Sequence, residues 1–385
     1  MPLSSRGFGL ARVLVACALA VCGGTGVLAQ KPAAPTGMAG PGSKDQKPDP
    51  AAAQQQQAQN QEIETVIHAA DAAMAATPPA AEIPIAVQND FLKAQAGRVW
   101  MPLTLTLDPS KTTAGPVTLY LRVTPRGMTA PPPPAPDAAA TAKDKKKKDG
   151  KDGKKDPKGA TAAPAGPSYP YEDVAFMDLK PAPAGQPFRI QRGIGVPSGS
   201  YDLYVVVHER AAGGKLGVVK QPLEVPNFET KELMISSVIL AERVDQLPAP
   251  VATDQQSEHP YAFGQTEIVP SPEKKFKKSQ ELIVLFQIYN PALSADKKFS
   301  LEATYTFYRQ DAGAEKRFNS TEPQVFNSDS MGPNFDPSGG TSSIQARQGI
   351  PLQSFPEGSY RLEVKITDKQ SGKVLTQSTA FTVTP

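Results

Sequence analysis

Cysteine and histidine are nearly absent from this chain. Its 385 residues hold 2 Cys and 3 His, and both cysteines, Cys17 and Cys22, fall among the first 29 positions. That argues against zinc sites, cysteine nucleophiles and disulfide frameworks. There is no G-x-S-x-G, no G-x-x-x-x-G-K-[ST] and no G-x-G-x-x-G leading into a helix. A nucleophile elbow and a phosphate-cradling loop are therefore both missing. His208-Glu209 opens like H-E-x-x-H, but Ala212 stands where the second ligand would be. The other imidazoles, His68 and His259, lie far apart in the chain. Tryptophan occurs once, at Trp100, and the net charge is only +3. A charge that small does not make the whole chain a polyanion binder. No enzyme, cofactor or metal is expected.

Long apolar runs are also missing. The longest near the start, 13–21, has about half the length of a bilayer span, which needs about 20 residues. It follows Arg6 and Arg12 and precedes Val27-Leu28-Ala29. A basic start, a short apolar stretch and small residues before cleavage predict an export signal over 1–29, cut between Ala29 and Gln30. The mature chain would then contain no cysteine and no transmembrane span, and would be periplasmic or at the cell surface. A lipoprotein anchored at Cys22 is the competing reading, but Val21 stands where a small residue is needed.

Proline, glycine and lysine are abundant and unevenly spread. Residues 30–61 are rich in Pro, Ala, Gly and Gln and predict a disordered tether. In 62–76, Ile63, Val66, Ile67, Ala70 and Met74 recur at helical spacing, which predicts a short amphipathic helix. Residues 129–168 hold 131–134 as four prolines and then nine Lys and four Asp between 143 and 158. This insertion predicts disorder, with Lys145, Lys146, Lys147 and Lys148 able to make a weak polyanion contact. It has no aromatics to stack on bases, so no specific nucleic acid is expected.

Elsewhere the apolar period is two. Val99, Met101, Leu103, Leu105 and Leu107 alternate with Trp100, Pro102, Thr104 and Thr106, and Val117, Leu119, Leu121 and Val123 do the same. Seven such strands are expected over 83–87, 99–107, 117–123, 173–179, 187–192, 201–209 and 217–225. Seven more are expected over 232–240, 281–289, 300–309, 323–327, 342–348, 359–368 and 374–383. In 281–289 both faces are apolar, as in a central strand covered on both sides. Residues 241–280 carry five prolines but also Tyr261, Phe263 and Ile268, and are expected to form an ordered loop packed on a sandwich.

One stretch occurs twice. Pro197-Ser-Gly199-Ser-Tyr201-Asp-Leu203-Tyr-Val205 matches Pro356-Glu-Gly358-Ser-Tyr360-Arg-Leu362-Glu-Val364, and a Gly-Lys pair follows each, at Gly214-Lys215 and Gly372-Lys373. These residues resemble the tyrosine corner of immunoglobulin-like and fibronectin-type-III-like domains, whose Tyr hydroxyl bonds back to nearby backbone. The wider pattern resembles sandwich domains of secreted bacterial proteins, some attached to von Willebrand factor A-related or GWxTxD regions, although no GWxTxD motif occurs here. The resemblance implies an all-β chain of two tandem immunoglobulin-like sandwiches, 83–228 and 229–385. It carries structural tyrosine corners at Gly199, Tyr201, Gly358 and Tyr360, and no catalytic, cofactor or metal residues. The expected role is a non-catalytic envelope protein that binds a protein or envelope polymer through sandwich edges and loops. A carbohydrate-binding accessory protein is the alternative, with Trp100, Tyr261 and Phe263 as its only candidate platform, although a strand Trp such as Trp100 is expected in the core.

Overall fold

The computed structural model describes residues 50–130 and 168–385, apart from 184, 212, 312, 333–334 and 337–341. The export signal, the cleavage site at Ala29 and Gln30, the tether up to 49, the lysines 145–148 and 131–167 of the insertion lie outside the described residues.

Strand alternation produces two pairs of facing sheets. In the first pair, β1 (Ile85–Asn89) and β2 (Leu92–Lys93) share one side of β3 (Arg98–Leu107), and β6 (Phe188–Pro197) pairs along the other. The facing sheet runs β5 (Tyr171–Leu179), β4 (Gly115–Pro125), β7 (Gly199–Glu209), β8 (Leu216–Val225), all antiparallel. Leu103, Leu105, Leu119, Leu121, Leu203 and Val205 meet between them at 0–1% exposure. Each such side chain contributes roughly 1.5–3 kcal/mol by leaving water.

The second pair is larger. One sheet runs β11 (Ala262–Phe263), β12 (Thr266–Pro270), β10 (Ile239–Gln246), β14 (Glu281–Tyr289), β18 (Ile344–Pro351), with β9 (Met234–Ile235) also on β14. The other runs β13 (Lys275–Lys277), β20 (Val374–Thr384), β19 (Gly358–Asp368), β15 (Ser300–Asp311), β16 (Ala314–Ser320), with β17 (Gln324–Asn327) also on β15. The strand β14 has both faces covered. Leu282, Val284, Phe286 and Ile288 enter the main core, and Ile283 joins Ile239, Ala241, Tyr261 and Ile268 on the far side.

Several elements differ from expectation. The helix α1 spans Pro50–Met74, so 50–61 is helical rather than loose tether. Residues 51–74 contain no Gly or Pro and are mostly Ala and Gln, and Pro50 suits a first helical position. The strand expected over 232–240 is broken at 236–238, where Ser236 N–H bonds the Gln287 carbonyl and Ser237 N–H bonds that of Phe91. The segment 241–280, expected as a loop, supplies the end of β10 and all of β11, β12 and β13. Trp100 is not in a core. Its neighbours Val99 and Met101 face inward, so alternation turns its indole onto the outer face of its sheet.

Helix α1 lies on the outer face of the β4–β7 sheet. Val66, Ala69, Ala70, Ala73 and Met74 pack against Tyr120, Tyr204 and Val206. Arg122 is 2% exposed beneath it, bridged to Asp71 of the helix and to Glu172 of β5 at 3.0 Å, with Tyr169 stacked 4.4 Å from its guanidinium.

The outer face of the β3–β6 sheet is covered by the second sandwich. Trp100 donates to the Pro260 carbonyl at 2.9 Å, and its ring lies so close to Gly193 that a Cβ there would sit 2.1 Å from it. Tyr261, 0% exposed, donates its hydroxyl to Asp90 at 2.7 Å. Lys93 N–H donates to the Tyr289 hydroxyl at 3.0 Å, and the Tyr289 ring joins the first sandwich's core beside Phe228.

Candidate interaction site

The strand order leaves β5 at one end of its sheet and β6 at one end of the facing sheet. The loop 180–187 joins these two strands, so their free edges lie on the same flank of the first sandwich. Between them runs a cleft of about 390 Å³. Met177, Leu179, Ala182, Phe188 and Ile190 supply its apolar walls, with Asp178, Lys180, Arg189, Arg192 and Glu258 around them.

The pleat sets the chemistry of each wall. On β6 the side chains of Phe188, Ile190, Arg192, Ile194 and Val196 fall on the inner face, and Arg189, Gln191 and Gly193 on the outer. Arg192 is thus a charge pointing inward at a sheet edge, which blunts that end of β6 alone for strand pairing. Its side chain is 11% exposed, Nη1 lies 3.0 Å from Glu258, and Nε is buried with no hydrogen-bond partner. Burial pushes the Tyr171 phenol above its ordinary range; nearby Asp173 adds to this and Arg192 opposes it. Arg189 bonds Glu273 at 2.7 Å on the outer face. Gly193 N–H donates to the Ser257 carbonyl at 2.7 Å, so the second sandwich caps the far half of the β6 edge. Chemically, the flank offers backbone donors and acceptors beside an apolar slot.

A second cavity, about 290 Å³, lies by Lys231, Asn290, Asp368 and Lys373. Its polar groups are used within the fold. Asp368 accepts from the backbone of Ala292 at 2.8 Å and Gln370 at 2.9 Å, and Lys373 pairs with Glu232 at 2.7 Å.

The residues singled out from sequence are placed as follows. Tyr201 donates its hydroxyl to the Ser198 carbonyl at 3.3 Å, and Tyr360 to that of Pro356 at 2.6 Å. Gly199 and Gly358 have φ of 148° and 141°, a region side chains strain to adopt. Trp100 and Tyr261 are drawn into the contact between sandwiches, and Phe263 is half-buried against the cluster that holds Tyr261. The histidines stay apart: His68 is exposed on α1, His208 bonds Glu62 at 2.7 Å, and His259 bonds Glu267 at 2.8 Å. Among the described residues no three His, Cys, Asp or Glu side chains are grouped as a metal site. No helix there is long and apolar enough to cross a membrane. The cleft itself escaped the sequence reading. Its one signal was Arg192, a charge at an inward position of a strand.

No family model matches the chain, and no curated protein matches it. Among solved structures, a DUF4785 family protein of Legionella pneumophila subsp. pneumophila is similar at 10% identity and a TM-score of 0.21. The match covers 79% of this chain and 57% of that one. A likeness of that size carries neither fold detail nor activity across.

Proposed function

We propose that this is an exported, non-catalytic interaction or structural protein of the cell envelope, periplasmic or surface-exposed, which holds a macromolecular partner through its sandwich edges. We place it beside the secreted bacterial proteins whose tandem immunoglobulin-like sandwiches accompany von Willebrand factor A-related or GWxTxD regions. The observation that carries the binding role is the flank on which β5 and β6 both end their sheets around an apolar cleft. Edges of this kind take partners by main-chain hydrogen bonding. The fate of the aromatics favours a protein partner over a sugar, since Tyr261 is 0% exposed and Trp100 is engaged with Pro260. The test is crosslinking and recovery of the full chain from its own envelope fraction. A saturable protein partner that survives deletion of 129–168 supports the reading. Recovery of polysaccharide alone, or binding abolished with that deletion or by modest salt, would sink it.

A further inference from the structure

We infer that the free edge of β20 pairs antiparallel with the same edge of a second copy of this chain, about a two-fold axis at Gln377. It stands apart from the binding role proposed above, which uses the first sandwich. The strand β13 covers only the last three residues of β20, with Lys275, Phe276 and Lys277 beside Thr382, Val383 and Thr384. Thr382 N–H donates to the Lys274 carbonyl at 2.9 Å, and Lys278 N–H to that of Thr384 at 2.8 Å. Even-numbered residues of β20 therefore turn their backbone to that side. Odd-numbered ones turn to β19, as where Asp368 N–H meets the Lys373 carbonyl at 2.9 Å. Val374, Thr376, Ser378 and Ala380 thus aim N–H and C=O groups past the edge, and among the described residues none of these groups has a hydrogen-bond partner. All four residues are exposed, Val374 at 47%.

Sheet edges are commonly guarded by charge, proline or a bulge. The strand β16, at the other end of the same sheet, carries Glu315, Lys316 and Arg317. Residues 374–384 hold no charged residue and no proline, and their register with β19 is unbroken. Such an edge is its own complement. With Gln377 opposite its equivalent, Thr376 faces Ser378 of the second copy and Val374 faces Ala380, and each of these pairs exchanges two N–H···O bonds. Every free backbone group of the edge is then used. On the outer face small neutral side chains meet, and Val374 gains cover from Ala380. On the inner face Leu375 lies across from Thr379. Two cations reach the edge. Lys274 Nζ is 3.0 Å from the Thr379 hydroxyl, and so lies across from Leu375 of the second copy rather than from its own equivalent. Arg361 is 3.0 Å from the Ser378 hydroxyl and is already paired with Glu315 and Glu363. A two-fold contact of this kind closes at two copies.

The test is sedimentation velocity of the full chain over a concentration series, with melting followed in parallel. A reversible monomer–dimer equilibrium in the micromolar range is expected, its midpoint unmoved by added salt because no ion pair takes part. Thr376→Pro removes an edge donor that β19 does not use. Thr376→Glu sets like charges on the two opposed strands while facing Lys365 within its own sheet. Each should raise the midpoint at least tenfold, and Thr376→Val should leave it unchanged. The register is read in a background of Cys17→Ser and Cys22→Ser, with an added oxidant. Gln377→Cys should form a covalent dimer at least tenfold faster than Leu375→Cys, because opposed residues at a non-hydrogen-bonded position lie within disulfide reach. This measurement decides the matter even where the proline variant does not fold. A chain that stays monomeric at every concentration would overturn the assignment. So would association that Thr376→Pro and Thr376→Glu leave unmoved in variants that melt like the parent, or equal oxidation of Gln377→Cys and Leu375→Cys.

Discussion

Tyr201 and Tyr360 sit at matching places in the two sandwiches, and the geometry ranks them. The Tyr360 bond to Pro356 is 2.6 Å with the residue 1% exposed, whereas the Tyr201 bond to Ser198 is 3.3 Å with 8% exposed. Each Tyr→Phe change should cost roughly 0.5–1.5 kcal/mol, with Tyr360 at the upper end, read from urea midpoints. Two silent changes would mean the bonds contribute nothing. Asp90 has a sharper signature. Burial raises its carboxyl from 3.8 to about 6, against the pull of the Tyr261 hydroxyl and Lys274. Because its folded value is raised, the native state holds a proton that the unfolded state releases between about pH 4 and 6. Its contribution to stability is thus best below pH 4 and falls through that window, by an order of 3 kcal/mol at most. Glu224, Glu232 and Glu315 shift the opposite way, lowered by hydrogen bonds to Ser200, Lys373 and Arg361 respectively. The measurement is therefore the difference between wild type and Asp90→Asn. The asparagine variant, which still accepts from Tyr261, should gain relative stability from pH 4 to 7. A constant difference across that range would refute the coupling.

At the scale of single elements, α1 divides in two. Its first half, exposed from 51 to 58, makes no core contact, while Val66 to Met74 carries the packed face. Removing 50–58 should leave the melting temperature within a few degrees. Asp71→Ala acts on the other half by depriving buried Arg122 of one of its two carboxylates. The expected cost is about 1–3 kcal/mol, with faster proteolysis within 62–74, because a buried guanidinium loses a partner. Unchanged cleavage would show that apolar contact alone holds the helix. The packed half was legible from the spacing of Val66, Ala70 and Met74. The exposed half was not, because Gln and Ala runs suit both a helix and a loose chain. Long alternating strands such as β3, β4 and β19, and the doubly apolar β14, were equally legible. β2, β9, β11 and β13 are two or three residues long and exist only through their partners, so no local pattern announces them. β16, Ala-Glu-Lys-Arg-Phe-Asn-Ser, lies along an outer edge and lacks an apolar alternation altogether.

For the whole molecule, the two sandwiches share side chains. Tyr289 belongs to β14 of the second yet lies in the core of the first, and Phe91 accepts from the Ser237 N–H while donating its own N–H to the Ser237 hydroxyl. The chain should therefore melt in a single calorimetric transition, and 229–385 expressed alone should be markedly less stable or insoluble. Two separate transitions, or an isolated second half as stable as in the full chain, would show that the contact adds little. This contact was invisible in sequence. Trp100 and Tyr261 look like core or ligand residues when read alone, and only the close approach of the Trp100 ring to Gly193 shows that the sheet's outer face is shaped for a covering surface.

The position of Trp100 has an optical consequence. The chain has one indole, and it stands at the seam between the sandwiches, hydrogen-bonded to Pro260 and half shielded from water. Excited at the long-wavelength edge of the band, where the chain's 10 tyrosines do not absorb, its emission is therefore a signal from that seam. A shift of that emission to longer wavelength during titration with a partner would report that the sandwiches part when the partner binds, without any label being added.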